Sequence, residues 1–258
     1  MRIIAVLLAL SAWADVPPTK SPASGAADAQ QAQQRKHQAE EEYRRGVQFA
    51  EGDGVPQDYV QAAKFYRSSA EKGHATAQYE LAYLYEKGLG VDRDLKQAAF
   101  WFRKAALQGD AEAQNNLGVL YATGQGVPRS DAEALRWYRL ATDQRDPEAM
   151  ANLGMMYLQG RGVKRDLARA FQLLQTAAEQ GYAAAQNNLG LMYANGQSVA
   201  RDSIWAYAWL DLAADRLPGS VAIRDQIAKE MTADDVTRAQ ALAVRKREQL
   251  SKLSRQSK

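Results

Sequence analysis

Apolar, small and polar positions recur along the chain with a fixed step of 36 residues. Each step holds two stretches in which apolar residues are three or four positions apart, the spacing of an amphipathic helix. A glycine ends the first stretch of every step: Gly52, Gly88, Gly124, Gly160 and Gly196. Three positions earlier stands an aromatic residue: Phe49, Tyr85, Tyr121, Tyr157 and Tyr193. The pattern predicts five tandem helical pairs.

The boundaries of the predicted helices carry residues suited to helix ends. Glycine can adopt the left-handed conformation that closes many helices. Another row begins the second helix of each pair: Asp58, Asp94, Ser130, Asp166 and Asp202. Serine can replace aspartate there because both side chains accept a hydrogen bond from the same backbone N–H group. Gln61, Gln97 and Glu133, three residues further on, predict reciprocal capping boxes.

One helical pair cannot bury its apolar face alone, whereas stacked pairs bury a continuous core. The predicted fold is therefore all-α, an α-solenoid of helix–turn–helix units. The units are placed at 38–73, 74–109, 110–145, 146–181 and 182–217. The period then fails at Leu217-Pro218-Gly219. Two further helices, near 220–231 and 233–250, predict a C-terminal cap over 218–250, and residues 251–258 are predicted to form a frayed basic tail.

The third unit is the most informative. Residues 113–142 contain Ala-Gln-Asn-Asn-Leu-Gly-Val-Leu-Tyr-Ala-Thr-Gly-Gln-Gly-Val, followed by Trp137-Tyr138 and Ala141. This spacing matches the tetratricopeptide pattern, but the longer period and the G-x-G-V loop resemble the Sel-one-like repeat family within that superfamily. The resemblance covers about residues 38–217. It implies a right-handed superhelix and a scaffold or regulator that assembles envelope complexes or holds an envelope enzyme or sensor in check.

The N-terminal segment has the layout of a secretory signal peptide. Met1 and Arg2 precede an apolar run over 3–10, and Ala12-Trp13-Ala14 matches a small-x-small cleavage pattern. We predict a signal peptide over 1–14, cleaved after Ala14, a periplasmic protein, and no lipid anchor because no cysteine follows the run. An ordinary buried helix is the alternative. Residues 15–37 are predicted as a flexible linker running into the first helix, since 16–29 are rich in Pro, Ser, Gly and Ala.

Charge is unevenly distributed. The 258 residues include 33 Lys and Arg against 30 Asp and Glu, a formal net charge of +3. Six of those basic residues and only one acidic residue fall within 244–258. This end is interpreted as solvated, with weak attraction to anionic wall polymer or membrane as the alternative. The remainder is net acidic, which argues against nucleic acid as a partner.

Patterns for catalysis and metal binding are sparse. With no cysteine and only His37 and His74, the sequence excludes a zinc finger, a thiol nucleophile and a three-histidine metal site. The G-x-G pairs lack the other residues of a phosphate loop and recur at every loop, so we interpret them as turns. No G-x-S-x-G elbow is present. We therefore predict no catalytic residue, no metal and no cofactor.

The remaining candidate site is a surface. If the first helix of each unit lines the concave side, as in tetratricopeptide arrays, eight inward residues are predicted to bind a partner: Tyr43, Tyr79, Tyr83, Asn115, Val119, Met155, Asn187 and Leu191. Alternatively, the row containing Val119 packs against the neighbouring pair. Trp205 occupies an otherwise polar register, so it either seats the C-terminal cap or marks a contact surface.

Together these features predict a non-catalytic protein–protein interaction scaffold or regulator in the bacterial cell envelope. Its partner would be another envelope protein or a peptide. The alternative is a hydrolase or ligand-binding protein acting on cell-wall-derived or β-lactam compounds, because some Sel-one-like proteins have been linked to β-lactams. Those relatives resemble disulfide-stapled chains, whereas this sequence has no cysteine.

Overall fold

Twelve α-helices make up residues 22–256, the part of the chain that the computed structural model describes. No β-strand occurs in that part. The helices are α1 (Pro22–Glu51), α2 (Tyr59–Glu71), α3 (Ala75–Lys87), α4 (Leu95–Ala106), α5 (Ala111–Thr123), α6 (Asp131–Asp143), α7 (Pro147–Gln159), α8 (Leu167–Glu179), α9 (Ala183–Asn195), α10 (Ser203–Ala214), α11 (Gly219–Ala228) and α12 (Ala233–Gln256). The predicted all-α fold is confirmed.

The helices pack in the order in which they follow one another. Each first helix contacts the second helix of its own unit, and each second helix contacts the first helix of the next unit. The C-terminal half of α1 serves as the first helix of the first unit. Stacking between neighbouring units is the defining property of an α-solenoid, as predicted.

The helix ends follow most of the predicted chemistry. Asp58 Oδ1 accepts hydrogen bonds from the backbone N–H groups of Val60 and Gln61 at 2.9 and 3.0 Å. The side chains in the same register cap their helices too: Asp94, Ser130, Asp166 and Asp202. The glycines that end the first helices have φ between 63° and 77°.

The prediction of reciprocal capping boxes is wrong in one respect: the backbone N–H of the cap residue does not bond to the side chain three residues on. A capping box needs the backbone N–H of the cap residue as a donor to the side chain three residues on. In the structure, that N–H of Asp58 donates to the carbonyl of Phe49 at 2.8 Å, and Asp94 and Ser130 make the equivalent bond to Tyr85 and Tyr121. The donor is therefore already used, and the bond ties each second helix to the first helix of its unit.

The second glycine of the loop has a steric role. A Cβ on Gly90 would clash with the backbone carbonyl of Tyr59, and one on Gly126 with that of Leu95. Each of these loops thus passes close to the start of the preceding second helix, which only glycine permits. In the last unit Ser198 takes this place and holds a left-handed φ of 68°.

The core runs continuously through the array. One alanine row is fully buried, with 0% exposure: Ala62, Ala98, Ala134, Ala170 and Ala206. Glutamines bridge the units: Gln114 Nε2 donates to the carbonyl of Ala106 at 3.1 Å, and its Oε1 accepts from Gln144 at 2.9 Å. Gln78 and Gln186 make the equivalent bond to the preceding second helix. These bonds satisfy carbonyls at helix C-termini that have no partner within the helix.

The N-terminal linker prediction needs correction. Helix α1 begins at Pro22, so residues 22–29 of the predicted flexible linker are helical. Alanine and glutamine favour helices, and proline in the first turn loses no hydrogen bond. Side chains over 28–38 are exposed, and packing begins at Ala39, whose carbonyl accepts from Ser69 Oγ at 2.6 Å. The predicted signal peptide and residues 15–21 lie outside the described residues.

Helices α11 and α12 pack on α10 and form the predicted cap. The last helix continues to Gln256, through most of the segment predicted as a frayed tail. The ring of Trp205 stacks on Tyr193 at 5.8 Å, and Lys246 Nζ of α12 lies 5.6 Å from its centroid. Trp205 therefore seats the cap. No helix in residues 22–256 has the length and apolar character needed to cross a membrane.

Candidate functional site

A groove of about 400 Å³ crosses the first helices of the middle units. Its lining residues are Tyr79, Glu112, Asn115, Asn116, Asp146, Pro147, Glu148 and Tyr182. All of them belong to α3, α5 or α7, or are the residue that precedes α7 or α9. The second helices contribute none of these. We call this feature the first-helix groove.

Five carboxylates lie in or beside the first-helix groove. Glu112, Asp146 and Glu148 line it, and Glu80 and Asp110 stand next to them. Among the side chains described over 28–252, none of the ion pairs involves any of the five. The groove therefore gathers negative charge that this part of the chain does not neutralise.

The environment of three of these carboxylates, Glu80, Asp146 and Glu148, opposes their charged form. Burial raises the pKa of Glu80, and the carboxylates of Glu112 and Asp110 raise it further. Burial within the groove also raises the pKa of Glu148, against a hydrogen bond with Asn115 that lowers it. The pKa of Asp146 is raised by burial despite its bond from the Ala149 N–H. Desolvation and the repulsion between like charges thus both raise the pKa values of these three carboxyls.

Local structure explains why carboxylates occupy these positions. Asp110 and Asp146 cap α5 and α7, accepting from the N–H groups of Ala113 and Ala149 at 2.8 and 2.6 Å. Glu112 and Glu148 follow in the first turns of the same helices. Negative charge is favoured at helix N-termini. Stacking then brings the acidic ends of consecutive helices side by side.

Aromatic rings and amides form the other walls. Asn115 is only 2% exposed, and its Oδ1 accepts from Asn152 Nδ2 of the next unit at 2.9 Å. The ring of Tyr79 packs near Phe102, with centroids 5.7 Å apart. Burial raises the pKa of Tyr182 to about 12, and burial with the nearby Glu112 also raises that of Tyr79. Both phenols are therefore protonated at neutral pH and can donate hydrogen bonds.

Two of the eight residues predicted to bind a partner, Tyr79 and Asn115, lie in the first-helix groove. Two others have partners inside the chain: Tyr43 stacks on the His74 ring at 4.6 Å, and Asn187 Oδ1 accepts from Ser220 Oγ of the cap at 2.8 Å. Tyr83 is 37% exposed, with Lys87 Nζ 5.3 Å from its centroid.

The remaining three predicted residues, Val119, Met155 and Leu191, are half-buried. Val119 packs against the core, which agrees with the alternative that this row serves packing. The structure thus brings only part of the predicted strip into one groove. A binding role for all eight residues stays a prediction.

Sequence reasoning missed the acidic character of the groove. Glu80 stands in a register that holds asparagine in the next three units: Asn116, Asn152 and Asn188. Tyr182 replaces the aspartates that cap α5 and α7. The signal in the sequence is the departure of single units from their registers at these two positions.

A second cleft, of about 370 Å³, lies along the second helices. Leu173 lines it, in a register that is otherwise aromatic: Phe65, Trp101, Trp137 and Trp209. The smaller side chain leaves room there, and the guanidinium of Arg169 covers the Tyr157 ring at 5.1 Å. Arg139 and Asp143 both reach the cleft, so its charge is mixed.

The described part of the chain offers no group of three or more histidine, aspartate or glutamate side chains that could hold a metal ion. His74 caps α3, accepting from the Ala77 N–H at 3.2 Å, and its Nε2 lies 3.0 Å from Glu40 Oε2. That hydrogen bond lowers the pKa of Glu40. The contacts give His74 a structural role.

The fold and the groove define the class: a helical-repeat protein of stacked pairs with an open first-helix face. The model of the Sel1 repeat matches residues 42–74, 75–110, 111–146, 147–182 and 183–216. The chain belongs to the Sel1 repeat family. The predicted units begin at 38, 74, 110, 146 and 182, which is four residues before the first match and one residue before each of the others.

Solved structures agree with this assignment. A Sel1 repeat protein from Oxalobacter formigenes is 36% identical, with a TM-score of 0.67, over 70% of this chain and 72% of that one. The protein c5321, described as a protective antigen of uropathogenic Escherichia coli strains with an SLR fold, is 30% identical with a TM-score of 0.56. The match covers 84% of this chain and 56% of c5321. No curated protein matches the sequence.

Proposed function

We propose that this protein is a non-catalytic scaffold or regulator of the bacterial cell envelope that binds a partner protein or peptide on its first-helix face. Sel1 repeats generally mediate protein–protein interactions and act as non-catalytic scaffolds. The observation that carries the proposal is the first-helix groove, to which three successive repeats contribute lining residues. Helical-repeat arrays use extended surfaces of this kind for binding.

The envelope location rests on the N-terminal pattern. A charged start, an apolar run and Ala12-Trp13-Ala14 are the features by which exported proteins are recognised. Mass spectrometry of the intact protein purified from periplasmic extract tests this. A mature chain beginning at Asp15 is expected, and a cytoplasmic chain that retains Met1–Ala14 would overturn the location.

Capture from native envelope tests the binding proposal. Tagged protein carrying Val119→Glu and Met155→Glu places two charges on the predicted strip, and it is expected to lose a partner that the unchanged protein retains. The matched control, Val60→Glu with Leu140→Glu, alters side chains on second helices that are 49% and 39% exposed. It is expected to retain the partner.

Folding must be separated from binding, because Val119 and Met155 are half-buried. Circular dichroism melting identifies a variant that has lost its structure, and Tyr83→Ala offers a milder change at an exposed ring. A folded first-helix variant that keeps the partner, beside a control variant that loses it, would move the site to the second helices.

A further inference from the structure

We propose that the partner reaches the first-helix groove with an extended, lysine- or arginine-rich segment. The inference rests on the proposed function and adds the chemistry of the bound segment. It starts from the unpartnered face that α3, α5 and α7 leave open and from the composition of its walls.

Charge complementarity identifies the occupant. Glu80, Glu112 and Glu148 come from three consecutive first helices, so the acidic side chains follow the axis of the array rather than one helix. None of them forms an ion pair with another residue described in the chain. A partner that supplies ammonium or guanidinium groups would neutralise charges that the fold leaves in mutual repulsion.

The walls favour cationic side chains over a bare metal ion. Tyr79 and Tyr182 line the groove together with the carboxylates, and both are half-buried aromatic residues. Aromatic faces attract guanidinium and ammonium groups, and long aliphatic stems cover rings at the same time. Asn116, which is half-buried in the groove wall, provides an amide suited to the backbone of an extended peptide.

The described part of the chain's own basic end packs on the cap and not in the groove. Lys246 Nζ lies 5.3 Å from the centroid of the Trp209 ring, and Arg247 Nε donates to Asp215 at 2.9 Å. Both contacts hold this part of α12 against α10, at the C-terminal end of the array. The described part of the basic end therefore supplies no cation to the groove.

A labelled (Lys-Ala)₅ peptide, with (Glu-Ala)₅ as its acidic counterpart, tests the inference by fluorescence anisotropy. The groove variant is Glu80→Gln with Glu112→Gln and Glu148→Gln, which keeps side-chain size and removes three charges. The control variant is Glu71→Gln with Asp92→Asn and Asp143→Asn, three exposed carboxylates outside the groove that give the same change in net charge.

The lysine peptide is expected to bind the unchanged protein and the control variant alike. The groove variant is expected to bind it about tenfold more weakly or worse, and added salt should weaken binding to the unchanged protein, because the attraction is electrostatic. The acidic peptide should not bind. Equal affinity of groove and control variants, or no saturable binding at low salt, overturns the inference.

Two further measurements distinguish a failure of this inference from a failure of the proposed scaffold function. If captured partner is lost with Val119→Glu and Met155→Glu but retained by the three-glutamine variant, the scaffold function stands and the basic segment is refuted. Sedimentation of the protein alone reports self-association. Association that the groove variant abolishes would make a second copy the occupant and would also overturn the inference.

Discussion

The first-helix groove and the C-terminal cap differ in whether basic side chains of the chain pair with their carboxylates. At the C-terminal end, Asp211 Oδ1 accepts from Arg224 at 2.7 Å and Asp215 accepts from Arg247 at 2.9 Å. In the first-helix groove, Glu80 and Glu148 have carboxylates as neighbours instead. The chain thus pairs the carboxylates of the cap with its own arginines and leaves those of the groove without a basic partner among the described residues.

This difference follows from what each surface must do. A solenoid exposes apolar side chains at its end unless a cap covers them, and α11 and α12 provide that cover with charged contacts around it. The groove has no covering helix. Natural proteins tolerate unfavourable charge where function needs it, at a cost in stability. We interpret the cap as a completed interface and the groove as one that awaits a partner.

The largest effect on the free energy of unfolding is expected from a substitution in the core beneath the C-terminal cap. Trp209 is 2% exposed and fills the core beneath α12. Trp209→Ala should lower the free energy of unfolding by about 3–5 kcal/mol, because it removes a large buried ring. Urea unfolding measures this. A loss below about 1 kcal/mol would mean that the cap does not depend on this ring.

A smaller effect is expected from the ion pairs of the cap. Arg224 and Asp211 are each 21% exposed, between a surface pair and a buried one. Arg224→Met should cost about 1–2 kcal/mol, since it leaves Asp211 with Arg247 alone. Thermal melting is the measurement, with Arg136→Met as control because its pair with Glu133 is exposed. Equal stability of the two variants would contradict the expectation that the ion pair of the cap stabilises the fold more than the exposed pair does.

The smallest effect is expected in the groove, and its sign is opposite. Glu80→Gln with Glu148→Gln should stabilise the fold at neutral pH by less than about 1 kcal/mol, since solvent screens partly exposed charges. Glu80 faces Glu112, Asp110 and Glu51, and Glu148 faces Asp146, Glu112 and Glu86. Removing two of these charges relieves repulsion.

The pH dependence of that gain follows from the raised pKa values. A carboxyl whose pKa is raised on folding binds more protons in the folded state than in the unfolded state. Its contribution to stability therefore falls as pH rises from the ordinary pKa of the carboxyl through the raised pKa of the folded state. The advantage of the glutamine variant should therefore be small in acid, below the ordinary pKa of glutamate, and grow towards neutral pH. Urea unfolding across pH measures it. An advantage that shrinks as pH rises would contradict the repulsion.

The fold could be predicted almost entirely from sequence, because a 36-residue period repeats the same local chemistry five times. Gly124 ends one helix and Ser130 begins the next through interactions confined to a few neighbouring residues. Their roles can therefore be predicted from the sequence alone. The capping boxes failed because the N–H of Asp58 has a better-placed acceptor, the carbonyl of Phe49. That bond depends on how two helices meet.

The candidate site could be predicted only in part. Register predicts that Tyr79 and Asn115 lie on first helices, and both line the first-helix groove. The clustering of Glu80 with Glu112 and Glu148 depends on the side-by-side stacking of successive units, which periodicity implies but does not measure. Likewise, Asn187 lies in a favourable register but is used by Ser220 of the cap, a contact formed outside the repeats.

The most direct test compares the groove with the cap in one experiment. A photo-crosslinking residue is placed at Tyr182, in the groove, and separately at Val244, which is 52% exposed on α12. After irradiation in native envelope, a discrete adduct is expected from position 182 and none from position 244. An adduct from position 244 with none from position 182 would contradict the account and make the cap the binding surface.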